Sequence, residues 1–330
     1  MRDIDVAIVI VSYKSASLAI NCLASVEREL TERRLSLGCV VIDNASGDAP
    51  PIAAAVAAHG WGDWADVLAA ERNGGFAYGN NRAIERAREI DPRLSAIVFL
   101  NPDTVVRPGA LRALLSHLES HADAGIVGAT IEDEHGARQK SAHRFPSPLT
   151  ELVAGSQLGI AARLVGVDAL TEGHSQRCDW VSGAAFVVRR EVFEKIGGLD
   201  EGYFLYFEEV DFCRRARRAG WTCWTVADAR VVHREGSSTG IREVRRRPAY
   251  WFESRRRYFT KAYGTLGLIA TDVLWAVGRA SYLARRAVGL GGAPKLAAVP
   301  PRFALDLLLG DARAIVRGRR ADAGMREKRA

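Results

Sequence analysis

Paired cysteines are missing from this chain. Its five cysteines, Cys22, Cys39, Cys178, Cys213 and Cys223, are an odd number and form no CxxC pair. That pattern suggests neither a disulfide framework nor a zinc site, and points to reduced, buried thiols in a cytoplasmic protein. Also missing is an uninterrupted apolar run of the ~20 residues that a membrane-spanning helix needs. The most apolar stretch, 265–290, is interrupted by Asp272, Arg279, Arg285 and Arg286. Only six apolar residues follow Asp3 and Asp5, too few for a secretory core, so no signal peptide is expected. No internal repeat and no recognised nucleic-acid motif is present, so nucleic acid is not expected as a partner.

Charge is present but unevenly spread. From Arg234 to Ala330 there are 21 basic and 8 acidic residues, a balance of +13, against −6 for the first 233 residues. Such a tail is expected to meet something anionic. Arg245–Arg247 and Arg255–Arg257 are interleaved with Tyr250, Trp251, Phe252, Tyr258 and Phe259. Arginines beside aromatics suit a lipid headgroup region, so an anionic membrane surface is the expected partner. The 265–290 stretch reads as a helix lying in that interface, broken at Gly289–Pro294. A second amphipathic stretch follows over 302–317, and the last dozen residues read as unstructured. The chain is long enough for one large domain with an appendage or for two domains. Its 48% hydrophobic content is ample for a core.

The chemistry-bearing pattern lies in the first half. Val6–Val11 is an apolar strand followed by Ser12-Tyr13-Lys14. Residues 17–30 then carry Leu18, Cys22, Val26 and Leu30 at helical spacing. Val40-Val41-Ile42 is a second strand, ending in Asp43-Asn44-Ala45-Ser46-Gly47-Asp48. Asn73-Gly74-Gly75-Phe76-Ala77-Tyr78-Gly79 leads into a helix predicted from about Asn80 to Glu89. Its glycines allow close backbone approach, and a helix start offers N–H groups to an anion. Ala96–Leu100 is a third strand, stopped by Pro102 inside Asn101-Pro102-Asp103. Strand–helix alternation implies a largely parallel sheet, whose carboxyl edge is where ligands bind. Ser12, Tyr13, Asp43, Asn73 and Asp103 would line that edge as a nucleotide-sized polar site. A carboxylate such as Asp103 can hold a divalent cation that bridges two phosphates. Each turn, taken alone, is also ordinary turn chemistry.

These segments together resemble a known family. Val-Ser-Tyr-Lys, Ile-Asp-Asn-Ala-Ser, Asn-Gly-Gly-Phe-Ala-Tyr-Gly-Asn-Asn and Leu-Asn-Pro-Asp stand in the order seen in family 2 glycosyltransferases of the GT-A fold. Bacterial rhamnosyltransferases are the nearest likeness. Trp180–Arg190, Gly197–Asp211 and Val232–Thr239 extend the resemblance over roughly residues 5–260. It implies an α/β GT-A domain over 1–240, with a mostly parallel central sheet flanked by helices, and a basic helical, membrane-associating extension over 241–330.

The resemblance also implies roles. Tyr13 would pack beside the nucleotide base and Asp43 would accept its imide N–H, which favours uracil or thymine over a purine. Ser12, Asn44, Asn73, Gly74, Asn80, Asn81 and Asn101 would surround the rest of the donor. Asp103 would hold Mg or Mn with His233 completing the shell, and Trp180, Ser182, Gly183 and Glu208 would face the acceptor. Glu209 stands where the family carries its presumed base, usually an aspartate, and Asp211 is the alternative. The implied reaction is inverting transfer of L-rhamnose from dTDP-L-rhamnose to a polyprenyl-diphosphate-linked saccharide at the inner membrane face. A UDP-sugar donor with another acceptor is the alternative within the class. A sugar nucleotidyltransferase should carry a Gly-rich loop marked by Lys and Arg near the N-terminus, which residues 11–20 lack. An inert scaffold would not need Asp103, His233 and the 208–211 acids together.

Overall fold

A computed structural model describes residues 6–33, 37–159, 162, 165, 166, 170, 173–234, 246–290 and 300–327. Of the sequence features above, 235–239, Arg245 and 291–294 lie outside the described residues. The chain divides into two compact units. One is Met1–Phe145 with Leu170–Arg242, and the other is Pro146–Ala169 with Glu243–Ala330.

The first unit is an α/β layer structure around a nine-stranded sheet. Its strands are β1 (Val6–Ser12), β2 (Leu37–Asp43), β3 (Ala65–Ala69), β4 (Ala96–Leu100), β5 (Thr104–Val106), β6 (Ala124–Glu132), β8 (Gln176–Cys178), β10 (Ala185–Arg189) and β11 (Thr222–His233). β7 (Ala142–His143) and β9 (Trp180–Val181) form a separate two-stranded ribbon. The sheet order is β3-β2-β1-β4-β10-β6-β11-β5, with β8 on β11. β1, β2, β3, β4, β6 and β11 share one direction, while β10, β5 and β8 run against it.

Both faces of the sheet are buried, and this explains the near-continuous apolar strands. Period-2 alternation sends Val6, Ile8 and Ile10 of β1 into one core and Ala7 and Val9 into the other. Helices α1 (Ala16–Arg33), α2 (Ala49–His59) and α4 (Ala110–Ser120) belong to the first core. Helices α3 (Gly75–Ile90), α6 (Arg190–Ile196) and α7 (Glu208–Arg218) belong to the second. The inner face of α1 is Ala19, Cys22, Leu23 and Val26, so Leu18 sits at its margin. Helix α3 starts five residues earlier than its pattern predicts. Gly75 has φ 85°, which turns the chain from loop to helix at once and moves Asn80 and Asn81 into the helix body.

The second unit is helical: α5 (Pro148–Ser156), α8 (Ala249–Ala287, bent at Gly264) and α9 (Phe303–Glu327). α5 lies so close to α8 that a Cβ on Gly155 would come within 2.4 Å of the Trp275 carbonyl oxygen, and one on Gly278 within 2.4 Å of that of Leu152. The unit corrects the reading of the second arginine–aromatic cluster, around Arg255, as lipid-facing. Arg255, Phe252, Tyr258 and Phe259 are buried, and Arg255 lies among Glu151, Asp272 and Asp311. Three acids widely separated in sequence converge on it, which the local pattern does not disclose. The end of the chain, expected to be unstructured, continues as helix to Glu327. Among the described residues no helix is long and apolar enough to cross a membrane.

Candidate active site

β1 and β2 end in register, Ser12 beside Asp43, and the turns beyond them interlock. Ser12 Oγ donates to Asp48 Oδ2 at 2.6 Å, and the Ser15 amide donates to the same oxygen at 2.8 Å. Asp43 Oδ1 accepts from the Ser46 amide and hydroxyl, and Oδ2 accepts from the amides of Gly47 and Ala49. Burial would raise its pKa, but those four donors outweigh burial and hold it below the ordinary carboxylate range. Its four lone-pair positions are thus in use. An imide N–H would have to share one, so the first role of Asp43 is to shape the turn. Lys14 and Ala45 hold left-handed backbone at the turn tips, φ 54° and 58°. Tyr13 stands 39% exposed at this rim, available to cover a flat ring.

The asparagines join elements to one another. Asn44 donates to Asn73 Oδ1 and to the Gly75 carbonyl, each at 3.0 Å. Asn80 donates to the Phe76 carbonyl one turn back on its own helix, at 2.9 Å. Asn81 donates to the Leu199 carbonyl at 2.9 Å and accepts from the Leu199 amide at 3.0 Å. Gly74 packs on Tyr78, and a Cβ on Gly75 would fall 2.0 Å from the Phe204 carbonyl oxygen. The Phe76 amide donates to that same oxygen at 2.8 Å. Asn44 and Asn81, expected around the donor, therefore engage both ends of their amides with the scaffold, and Asn73 and Asn80 one end each. The Gly-rich loop leans on the 203–207 loop.

After β4 the chain places Asp103 against His233. β5 pairs antiparallel with β11, which sets His233 opposite Thr104. His233 Nε2 lies 3.3 Å from Asp103 Oδ1 and 3.5 Å from Asn101 Nδ2. Asn101 Oδ1 is buried without a hydrogen-bond partner among the described residues. Among those residues no group of three or more His, Cys, Asp or Glu gathers as a full metal shell. The pair still fits an oxygen-preferring divalent ion. Ligands at about 2.1 Å in an octahedron stand about 3 Å apart along an edge, close to the Asp103–His233 separation. The shell would be completed by ligand oxygens.

The acidic cluster opens α7. Tyr206 and Phe207 both have left-handed backbone, φ 73° and 68°, a strained entry of the kind found at functional sites. Glu208 is buried, and Oε2 of Glu208 and of Glu209 has no hydrogen-bond partner among the described residues. Burial pushes the Glu209 carboxyl up to about 7. Burial, then the neighbouring Glu209 charge, holds Glu208 well above the carboxylate range. Asp211 differs. Its Oδ2 accepts from Arg215 Nε at 2.9 Å and its Oδ1 from the Tyr203 hydroxyl at 3.3 Å. Arg215 also donates to the carbonyls of Ile196 and Gly198, so Asp211 is tied into the fold.

The loop after β9 links the two groups of functional atoms. A Cβ on Gly183 would touch the Glu209 carboxyl at 3.6 Å, and the next residue, Ala184, accepts from the Asn101 amide at 2.8 Å. Glu209 and the Asn101–Asp103 turn thus share one tether. Trp180 stacks on His143 at 3.9 Å and donates from Nε1 to the Arg144 carbonyl, while the Ser182 amide donates to the Ser141 carbonyl. Sequence reasoning missed Ser46, Asp48 and Arg215. All three are supporting residues. For Asp48 the partners Ser12 and Ser15 lie far away in sequence, so no local signal marks it, whereas the i,i+4 spacing of Asp211 and Arg215 could have marked Arg215.

Comparison with known proteins identifies the family. Residues 3–264 match the family model described as "Glycosyltransferase like family 2". The chain belongs to this family. Among the relatives of this family 2 glycosyltransferase is "N-acetylglucosaminyl-diphospho-decaprenol L-rhamnosyltransferase" of Mycobacterium tuberculosis (strain CDC 1551 / Oshkosh). It is 30% identical over 254 residues, which is 73% of this chain and 79% of the relative. "Rhamnosyltransferase WbbL" of Escherichia coli (strain K12) is 27% identical over 57% of this chain and 66% of its own. Among solved structures, mannosyltransferase PcManGT from Pyrobaculum calidifontis, in complex with GDP-Man and Mn2+, covers 97% of this chain and 83% of its own. Its TM-score is 0.54 at 18% identity. GalNAc-T7 with UDP, GalNAc and Mn2+ has a TM-score of 0.52 at 18% identity over 70% of this chain, which spans only 44% of that structure. Together they support the GT-A layout of the family 2 glycosyltransferase.

Proposed function

We propose that this glycosyltransferase moves L-rhamnose from dTDP-L-rhamnose to a polyprenyl-diphosphate-linked saccharide in cell-surface polysaccharide synthesis. Transfer inverts the anomeric carbon. The observation that carries the mechanism is the tether through Gly183–Ala184 between an acid with its pKa near 7 and the Asn101–Asp103 turn. The rhamnosyl assignment is supported by the names of two relatives.

In this reading Tyr13 covers the pyrimidine ring at the rim of the sheet, and the 43–49 turn orients it. Asp103 and His233 would hold Mg or Mn, which, when bound, supplies positive charge to the departing diphosphate. Glu209, with a pKa near the working pH, takes the proton of the acceptor hydroxyl as its oxygen attacks the anomeric carbon. The carbon–oxygen bond to the diphosphate breaks on the opposite face, so one displacement gives inversion. Glu208, kept protonated, can donate a hydrogen bond without competing for that proton. Trp180 offers the acceptor a flat apolar face. The basic second unit keeps the protein at the cytoplasmic face of the membrane, where a lipid-linked acceptor stays.

The test is transfer by the full chain to polyprenyl-diphosphate-linked N-acetylglucosamine from a panel of dTDP-, UDP- and GDP-sugars. Use of dTDP-L-rhamnose well above every other donor is expected. Preference for a UDP- or GDP-sugar would overturn the donor assignment. Equal transfer to a free water-soluble sugar would overturn the lipid acceptor.

A further inference from the structure

A cavity lies inside the second unit, away from the sheet edge. It is a groove of about 620 Å³ between the start of α8 and the α9 surface. Five arginines line it against two acids, Glu253 and Asp306. Asp306 is already engaged by both ends of the Arg246 guanidinium. Arg256 is held by Asp311 at 2.7 Å. Arg247, Arg302 and Arg313 make no close ion pair among the described residues; Arg302 acts on Asp306 at longer range and Arg247 lies over the Trp251 ring, so the groove keeps an excess of positive charge. Its wall between Arg302 and Arg313 is Leu305 and Leu309, 54% and 48% exposed. Leu305, Leu309 and Arg313 follow helical spacing along one face of α9, and Arg302, with left-handed backbone at φ 63°, stands just ahead of its first turn.

Excess positive charge beside exposed leucines suits a ligand with an anionic head and an apolar tail. A free nucleotide or sugar phosphate would leave the leucines in water. A second observation in the same unit agrees. Leu266, Ile269, Val273 and Val277 of α8 are all exposed at three- and four-residue spacing, a stripe without polar members. We propose that the Arg247–Arg302–Arg313 groove is a binding site for the phosphate headgroup of an anionic membrane lipid. Its acyl chains would run over Leu305 and Leu309. The inference rests on the reading that this chain works at a membrane, and it adds a defined site to what would otherwise be diffuse attraction.

The experiment is co-sedimentation of the full chain with vesicles of equimolar phosphatidylcholine and phosphatidic acid, and with phosphatidylcholine alone. The groove variant is Arg302→Gln with Arg313→Gln. The control is Arg218→Gln with Arg286→Gln, which removes the same charge outside the groove. If each groove arginine contributes at the usual scale for a basic residue at an anionic surface, the groove variant binds about 30-fold more weakly. The control should lose much less, and the unchanged circular dichroism and melting temperature of the groove variant should show that it is folded. Equal losses in both variants would overturn the groove while leaving the membrane reading standing. No vesicle binding by the wild type would overturn both. Inorganic phosphate binding measured by calorimetry supplies the last arm. Tight, Arg302- and Arg313-dependent binding of phosphate without vesicle binding would overturn the lipid as the source.

Discussion

Arg255 holds the second unit together, and its removal is the sharpest stability test. Its side chain is 1% exposed. It donates to Glu151 Oε2 and Asp272 Oδ1, each at 2.9 Å, and to Asp311 Oδ2 at 3.3 Å. Its guanidinium also lies 4.9 Å from the centre of the Phe259 ring. Among the described residues the ion-pair partner of Arg256 is Asp311. In Arg255→Met, three carboxylates would share one remaining cation. Breaking a buried ion pair by deleting one partner costs about 3–5 kcal/mol, because the survivor is left uncompensated. The cost should depend on pH. Burial already pushes Asp272 up to about 6 even though Arg255 opposes the shift, and the Asp311 charge adds to it. Without Arg255 the acids take protons more readily, so the loss should be largest near pH 8 and smaller near pH 5. Urea unfolding at both pH values measures it. A triple variant, Arg255→Met with Asp272→Asn and Asp311→Asn, should recover much of the loss, since fewer charges stay buried without partners. A pH-8 loss under about 1 kcal/mol for Arg255→Met, or no recovery in the triple variant, would refute the reasoning.

Three further outcomes follow from the first unit. Asp103→Asn should reduce metal-dependent transfer severely and weaken Mn binding measured by calorimetry; activity within about threefold of wild type would exclude the metal role. Gly75→Ala, with φ 85° and a Cβ 2.0 Å from the Phe204 carbonyl oxygen, should displace the 203–207 loop. That should lower kcat by more than the about 1–2 kcal/mol of left-handed strain alone would suggest; unchanged kcat would separate that loop from the acids. His143 is held down to about 4, first by burial and then by the Lys140 charge. The unfolded chain therefore binds a proton that the folded one resists. Its contribution to stability should be intact above about 6.5 and lost as pH falls towards about 4, and His143→Gln should flatten that part of the melting profile.

Much of the first unit was legible because its signals are local. Apolar strands ending at Ser12, Asp43 and Leu100, with polar turns after them, are set by burial on both faces, and the sheet forms from those strands. That alternation implies the largely parallel sheet, and the resemblance to family 2 glycosyltransferases adds the GT-A layout. What was not legible depends on partners distant in sequence. Nothing around Asn81 announces Leu199, whereas Asp43 closes its own turn on Ser46, Gly47 and Ala49, a local signal that sequence reasoning missed. The arginine–aromatic run around Arg255 looked like a membrane face because its three acids come from Glu151, Asp272 and Asp311. The choice between Glu209 and Asp211 was open in sequence. Arg215 and Tyr203 engage Asp211, whereas the Glu209 carboxyl keeps an oxygen with no partner among the described residues.

The central claim is that Glu209 is the general base, and the pH dependence of kcat in Glu209→Gln and Asp211→Asn tests it most directly. Wild-type transfer should rise with pH through an ionisation near 7, the point to which burial pushes Glu209. Glu209→Gln should lose about 10²-fold or more in kcat and lose that ionisation, with donor binding little changed. Asp211→Asn should keep the ionisation and lose mainly stability through its Arg215 pair. Abolished turnover in Asp211→Asn together with near-normal turnover and an intact pH limb in Glu209→Gln would contradict the account and move the base to Asp211.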